Sequence, residues 1–105
     1  MFVQAFAALA DPTRRRIVEL LAERDHDAGE LAACFPVSRP AVSRHLRVLR
    51  ESGLVTVRSD AQRRVFSLDP RPLDEMASWL DQRRSFWNQR LDALEIELAR
   101  TRAKN

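Results

Sequence analysis

The sequence predicts a mainly α-helical fold with one small β-hairpin and a long C-terminal helix. Three observations predict it. Apolar residues recur at helical spacing through the first half of the chain, the period changes to two after Gly53, and helical spacing returns from Leu73 onward. The chain has 105 residues, of which 45% are hydrophobic and 31% are charged. This length and composition suit one globular domain with a modest core.

The first two helices are marked by apolar residues and by an N-cap. Phe2 and Phe6 lie on one face of a short first helix that ends near Asp11. Asp11 followed by Pro12 is typical of an N-cap and a first-turn proline. We therefore expect a second helix that runs from this point to about Arg24.

A third helix and a tight turn come next. Asp27 and Glu30 have the spacing of a capping box, which predicts a helix that begins here and ends near Phe35. Pro36 breaks this helix, and Ser38 is the expected N-cap of the fourth. Two short helices joined by such a turn are the outline of a helix-turn-helix.

The fourth helix, predicted for residues 38–52, has two different faces. At about 100° per residue, one face is an apolar stripe, which Gly53 brings to an end. This stripe consists of Val42, Leu46 and Leu49. The opposite face carries arginines and a small hydroxyl, namely Arg39, Ser43, Arg47 and Arg50, with Arg44 beside them. Such a helix suits the DNA major groove, where arginine binds guanine O6 and N7 or phosphate oxygens. An ordinary amphipathic helix with a solvated basic face is the alternative that this helix alone leaves open.

Residues 54–68 are predicted to form the β-hairpin. Two runs of β-forming residues, 54–57 and 65–68, surround a polar segment at 58–64 that we interpret as the turn. This segment contains Arg58, Arg63 and Arg64. The hairpin therefore adds a second group of arginines directly after the fourth helix.

A long last helix is predicted for residues 73–102, after the strand-breaking segment 69–72. Its apolar residues recur close to every 3.5 positions, and Trp79 and Phe86 add a second stripe. This surface is too large for one side of a small domain, so we expect a partner helix from a second copy. Packing within the monomer is the alternative. The expected dimer interface comes from the first and last helices and comprises Phe2, Phe6, Trp79, Phe86, Trp87, Leu91, Leu94 and Leu98.

Positive charge is concentrated in the middle of the chain. The net charge is +3, but residues 36–71 hold eight arginines against three acids, a local charge of +5. The rest of the chain holds ten basic and twelve acidic residues. Such a distribution is typical of a nucleic-acid-binding surface. The residues expected to contact DNA are Ser38, Arg39, Ser43, Arg44, Arg47, Arg58, Arg63 and Arg64.

A helix-turn-helix followed by a two-stranded wing is the winged-helix plan. The segments ALADPTRRRIVELLAE, GELAACFPVSRPAVSRHLRVLRESGLV and RSDAQRRVFSLD resemble the ArsR family of bacterial transcriptional repressors. The resemblance implies that residues 1–105 form a single winged helix-turn-helix domain with a C-terminal dimerisation helix. It also implies a homodimer, joined through the first and last helices, that binds double-stranded DNA at an imperfect palindromic operator.

The family also includes metal sensors, and here the chain departs from the pattern. Their thiolate site resembles ELCVCDL, whereas Ala32 replaces one thiol of that pair in this chain. A second family site uses histidine on the last helix, which has none here. A lone thiol is a poor site for a soft metal, which takes three or four ligands. We therefore expect no metal and no cofactor. A metal or thiol effector at Cys34 is the narrower alternative, and the sequence identifies no inducer.

The cysteine and the two histidines receive structural interpretations. Cys34 is expected to be a small core residue, and His26 to lie in a polar loop. His45 is expected to be half-buried, with a hydrogen bond to the backbone. No Ser/His/Asp or Cys/His arrangement has further support, so we predict that the chain is not an enzyme.

The sequence as a whole predicts a sequence-specific transcriptional regulator, a repressor that binds a palindromic operator as a homodimer. No apolar run reaches the length of a membrane span, and the N-terminus lacks the pattern of a signal peptide. A single cysteine fits a reducing compartment. We therefore expect a cytoplasmic protein. A winged-helix module that binds another protein through its aromatic last helix is the alternative from a different class.

Overall fold

The computed structural model describes residues 3–104, so Phe2, expected at the dimer interface, lies outside the described residues. The chain divides into two compact units, Met1–Glu75 and Met76–Asn105. The predicted mainly helical fold with a β-hairpin is confirmed. In chain order the elements are α1 (Val3–Ala8), α2 (Pro12–Glu23), β1 (His26–Asp27), α3 (Ala28–Ala33), α4 (Arg39–Glu51), β2 (Val55–Asp60), β3 (Arg63–Leu68) and α5 (Arg71–Lys104).

Three helices begin at the side-chain caps that the sequence predicted. The Asp11 carboxylate accepts a backbone N–H of α2 at 3.0 Å, and the Ser38 hydroxyl accepts one of α4 at 3.2 Å. At α3 the capping box is complete, because the Asp27 carboxylate accepts from the Glu30 N–H at 2.8 Å and the Glu30 carboxylate accepts from the Asp27 N–H at 3.3 Å. Each cap accepts a hydrogen bond from a backbone N–H of the first turn that has no acceptor within the helix. Replacing a capping residue by alanine lowers the stability by about 1 kcal/mol.

The core of the first unit explains how α4 is held. The apolar stripe of α4 is buried as predicted, with Val42, Leu46 and Leu49 at most 3% exposed. Burying one such side chain stabilises the fold by about 1.5–3 kcal/mol. At its far end α4 stops at Gly53, which has a φ of 83° that glycine adopts without strain. Both ends and the inner face of the helix are therefore fixed, and its outer face is left to solvent.

The hairpin has longer strands and a shorter turn than the sequence predicted. Strand β2 pairs with β3 as far as Asp60 opposite Arg63, so the turn consists of Ala61 and Gln62 rather than residues 58–64. Ala61 has a positive φ of 56°. Residues 58–64 are exposed on both faces of the hairpin, so they lack the apolar alternation that marks a strand in sequence. That prediction of the turn was wrong for this reason.

A third strand, β1, was not predicted. His26 pairs with Phe66 and Asp27 with Val65, so β3 is the central strand in the order β1-β3-β2. His26 is only 6% exposed, which corrects its assignment to a polar loop. A strand of two residues is too short to show a period of two, and its pairing with residues 38 and 40 positions away leaves no local signal.

The last helix begins two residues earlier than predicted. The Asp69 carboxylate accepts from the Arg71 backbone N–H at 3.1 Å and from the Arg71 guanidinium at 2.6 and 3.0 Å. In the second unit, every side chain from Ala77 to Ala103 is exposed. No helix within the described residues is long and apolar enough to cross a membrane.

The Asp69–Arg71 contact predicts a pH-dependent stability. Hydrogen bonds from the Arg71 side chain and backbone lower the pKa of Asp69 from 3.8 to about 2. Because the folded pKa is lower than the unfolded one, the stabilisation is present above about pH 4 and is lost as the pH falls toward 2. We expect Asp69→Asn to lower the urea midpoint at pH 7, and the difference from the unsubstituted protein to narrow below pH 4. Asp74→Asn, in the first turn of α5, is the control and should lower the midpoint less than Asp69→Asn does. An Asp69→Asn difference that stays constant from pH 7 to pH 2.5 would contradict this account.

Candidate nucleic-acid interface

The outer face of α4 brings together most of the predicted DNA-contacting residues. All of its members are exposed, and together with Pro40 they line an open depression of about 640 Å³. These residues are Arg39, Ser43, Arg44 and Arg47. Ser38 is exposed directly before them, where its hydroxyl caps the helix. The buried stripe on the opposite side of α4 directs this face away from the core.

The arginine side chains of α4 are unpaired among the residues that the structure describes. None of the four guanidinium groups forms a hydrogen bond or an ion pair there. They are Arg39, Arg44, Arg47 and Arg50. Each guanidinium offers five N–H donors in a planar fork that fits a phosphate or the edge of a guanine. This face of α4 therefore presents unused donors and positive charge to an external ligand.

The arginines of the hairpin differ from one another. Arg58 donates to the Asp25 carboxylate at 2.8 Å and to the Ser67 hydroxyl at 3.0 Å. Arg63 donates to the Asp27 carboxylate at 3.0 Å and to that of Glu30 at 3.3 Å. These two side chains connect the hairpin to the segment that leads into α3. Arg58, Arg63 and Arg64 were predicted as equivalent contacts, and the sequence carries no signal for this difference.

Arg64 has no acidic partner among the described residues. Its guanidinium lies 5.8 Å from the centre of the Phe66 ring, within the range of a cation–π contact. Phe66 is buried, so the ring provides a fixed surface beneath the arginine. Such a contact orients the guanidinium without neutralising it.

The acids that bind the hairpin are held in their charged form. The Arg58 side chain lowers the pKa of Asp25, and the backbone N–H of Glu30, followed by Arg63, lowers the pKa of Asp27. The backbone N–H of Asp27 and the side chain of Arg24 lower the pKa of Glu30. These carboxylates are therefore ionised at neutral pH. All the pairs are exposed and contribute little to stability, so their main effect is to fix the position of the hairpin.

His45 links α4 to the start of α2. Its Nδ1 lies 3.4 Å from Arg14 Nη1 and 3.9 Å from the Asp11 carboxylate, and its side chain is half-buried. Because a guanidinium only donates, Nδ1 is the acceptor. The predicted half-buried position is confirmed, but the partner is a side chain rather than the backbone. The Arg14 guanidinium also donates to the carbonyl of Ala8 at 2.6 Å, so α1, α2 and α4 meet at this point.

Cys34 is exposed, which corrects its assignment to the core. It follows the last residue of α3, and its thiol donates to the Glu30 carbonyl at 3.3 Å. The helix ends about two residues earlier than the sequence predicted, so Cys34 caps it instead of packing inward. Among the described residues, no three His, Cys, Asp or Glu side chains are grouped so that they could hold a metal ion.

Comparisons with known proteins agree with this geometry. The model of the bacterial regulatory protein family arsR matches residues 11–57. The HTH-type transcriptional regulator Rv2034 of Mycobacterium tuberculosis is 50% identical over 88 residues, which are 84% of this chain and 79% of that protein. The transcriptional repressor SdpR of Bacillus subtilis is 35% identical over 75 residues, which are 71% of this chain and 83% of that protein.

A solved structure shows the same fold. The ArsR-like transcriptional regulator from Rhodococcus sp. RHA1 aligns with a TM-score of 0.78 and 33% identity, over 89% of this chain and 88% of that one. The resemblance seen in the sequence is thus confirmed, and with it the winged helix-turn-helix. The homologues are transcriptional regulators rather than enzymes. The chain belongs to the arsR family of bacterial regulatory proteins, and it is a DNA-binding transcriptional regulator.

Proposed function

We propose that this regulator is a repressor that binds an imperfect palindromic operator as a homodimer. The single observation that carries the proposal is that the four arginine side chains of α4 lack any partner within the described residues. Unpaired arginines on a rigid helix suit a polyanion whose base edges also accept hydrogen bonds. The relative from Bacillus subtilis is named a repressor, which supports the direction of regulation. Operator binding implies that the protein acts in the cytoplasm.

In this proposal α4 is the recognition helix and lies in the major groove. Arg47 and Ser43, near the middle of the exposed face, contact base edges, and Arg39 does so at the helix entrance. Arg44 projects toward the flank and holds a phosphate. Ser38 caps α4 and also contacts the DNA backbone at this N-terminal end of the helix.

The hairpin is the wing, and its three arginines contact phosphates or the adjacent minor groove. Arg64 brings an uncompensated charge. Arg58 and Arg63 already donate to acids, but each guanidinium keeps further N–H donors for a phosphate. The acids hold these two side chains in place while reducing the net charge of the wing.

The dimer is proposed to form through α1 and α5. Large apolar side chains of α5 are exposed in the single chain, including Trp87 at 61%, Leu91 at 53% and Leu94 at 55%. They share one side of the helix with Leu98, and Phe86 lies beside them at an edge-to-face angle to Trp87. A second α5 with the same stripe would bury them. Phe6 of α1 and Trp79 of α5 complete the proposed seam.

The direct test is to select sequences from a random DNA library with the purified protein and to titrate the enriched sequence at several salt concentrations. We expect an enriched palindrome, and a steep fall of log affinity with log salt, because each neutralised phosphate adds a slope of about −0.9. Failure to enrich any sequence, or an affinity that salt leaves unchanged, would overturn the proposal.

Cys34 is proposed to have no part in metal-controlled regulation. Because the thiol is exposed and no metal-binding group of three exists among the described residues, Cys34→Ser should leave operator affinity unchanged with or without Zn²⁺. The unfolding midpoint of Cys34→Ser should equal that of the unsubstituted protein. Fluorescence anisotropy with labelled operator measures the affinity. A zinc-dependent loss of DNA binding that the variant no longer shows would count against this assignment.

A further inference from the structure

A narrow cleft separates the recognition helix α4 from strand β3 of the wing. Its volume is about 160 Å³. Three arginines line it, Arg47 and Arg50 from α4 and Arg64 from β3, together with Ser43. The apolar part of the lining is formed by Leu46 and Phe66, which are both 3% exposed. We call it the wing cleft.

The charge of the wing cleft is uncompensated. No Asp or Glu lines it, and neither Arg47 nor Arg50 has a partner within the described residues. Arg64 contacts only the ring of Phe66. Elsewhere in the wing the opposite holds, since Arg58 and Arg63 are each paired with acids.

The helix dipole accounts for only one of these arginines. Arg50 lies in the last turn of α4, where a positive charge is favourable. The helix dipole does not explain why Arg47 and Arg64 line the same space. A bound anion would explain it, because guanidinium groups on two sides of the cleft can each donate to its oxygens.

The size of the wing cleft limits the anion. A single water molecule needs only about 10–15 Å³ of such a cavity, so the cleft of about 160 Å³ has room for a larger group. A tetrahedral phosphate group fits this space. We infer that the wing cleft is a phosphate-binding site that takes one backbone phosphodiester of each operator half-site, held between Arg50 of the recognition helix and Arg64 of the wing. Arg47 lines both the wing cleft and the depression on the outer face of α4. This inference rests on the proposed function. It adds Arg50, which the sequence placed on the basic face but not among the contacts.

The test pairs protein variants with operators that lack one charge. In each operator, a single phosphate of the half-site is replaced by a neutral methylphosphonate, position by position. For the unsubstituted protein, one position should weaken binding about ten- to hundredfold, as expected for a charge-assisted contact. For Arg50→Gln, the cost at the same position should fall, while every other position keeps its cost. Arg64→Gln should also lower the cost at that position, because each variant leaves one of the two arginines on the phosphate. For the same reason, each variant should reduce the magnitude of the salt slope by less than about 0.9 per half-site.

Arg16→Gln is the matched control, because it removes the same charge from an arginine that is paired with Glu19 on α2. It should leave the methylphosphonate profile unchanged. Circular dichroism confirms that each variant is folded. If Arg50→Gln and Arg64→Gln relieve different positions, or none, the wing cleft does not hold a shared phosphate and the inference is wrong.

A second arm separates operator phosphate from a small phosphorylated ligand. At equal ionic strength, inorganic phosphate alone should increase the melting temperature of the unsubstituted protein no more than it increases that of Arg50→Gln. If the increase is larger for the unsubstituted protein, and no methylphosphonate position is relieved, the cleft binds a free anion instead. If the unsubstituted protein binds no selected DNA at all, the proposed function fails and this inference fails with it. If it binds DNA normally but no position is relieved, only this inference fails.

Discussion

Replacing Trp87 by alanine is expected to convert the proposed dimer to a monomer. The Trp87 side chain is 61% exposed in the single chain, so the substitution should do little harm to the fold of one protomer. In the proposed dimer the Trp87 ring of each protomer is buried in the interface. Truncating a buried aromatic side chain costs about 3–5 kcal/mol. We therefore expect the dimer dissociation constant to rise by at least about a hundredfold, as measured by sedimentation velocity over a range of concentrations.

Operator affinity should fall when Trp87→Ala prevents dimerisation. Two recognition helices on one dimer bind their half-sites together, and a monomer loses this gain in effective concentration. Trp87→Ala should thus reduce operator affinity more than any single substitution in the wing. A variant that sediments as a dimer and binds normally would exclude Trp87 from the interface and assign the seam to α1.

The chain offers a matched pair of controls on α5. Leu94 and Ile96 are each 55% exposed, but they are two residues apart and so point to nearly opposite sides of the helix. Leu94→Ala should weaken the dimer, whereas Ile96→Ala should not. Equal effects of the two substitutions would indicate that the exposed apolar surface associates without a defined seam.

Arg47→Ala is expected to change which sequences are bound as well as how tightly. Arg47 is exposed near the middle of the outer face of α4 and has no partner within the described residues. A bidentate contact with guanine is worth about 1–3 kcal/mol of discrimination. Repeating the library selection with the variant should show a relaxed base preference at one position in each half-site.

Arg63→Ala is the contrast for this prediction. Arg63 positions the wing through Asp27 and Glu30, so its loss should weaken binding to all sequences by a similar factor. The enriched motif should stay the same. If Arg47→Ala preserves both affinity and motif, the docking of α4 in the major groove is wrong.

The sequence was sufficient for those features of the fold that depend on neighbouring residues. Caps at Asp11, Asp27 and Ser38 act over three positions, and the stripe of α4 repeats every three or four. These local rules predicted the helix starts and the inner face of α4 correctly. The exposed basic face of α4 followed directly, because it is the side of the helix opposite the stripe.

Features that depend on distant residues were not predictable in this way. The ion pair of Arg63 with Asp27 joins residues 36 positions apart, and that of Arg58 with Asp25 spans 33. Both exist only because β1 pairs with β3, and two residues give no strand signal. The wing cleft has the same origin, since Arg64 meets Arg47 and Arg50 only after the hairpin has folded back. The arginines are therefore apparent from the sequence, but which of them are paired with acids is not.

The central claim is that two copies of α4 read two symmetric half-sites. Hydroxyl-radical footprinting of the dimer on its selected operator tests this most directly. We predict two protected half-sites of equal strength, related by the operator dyad, with centres one helical turn or about 34 Å apart. Protection of a single asymmetric site, or of a continuous stretch without a dyad, would contradict it.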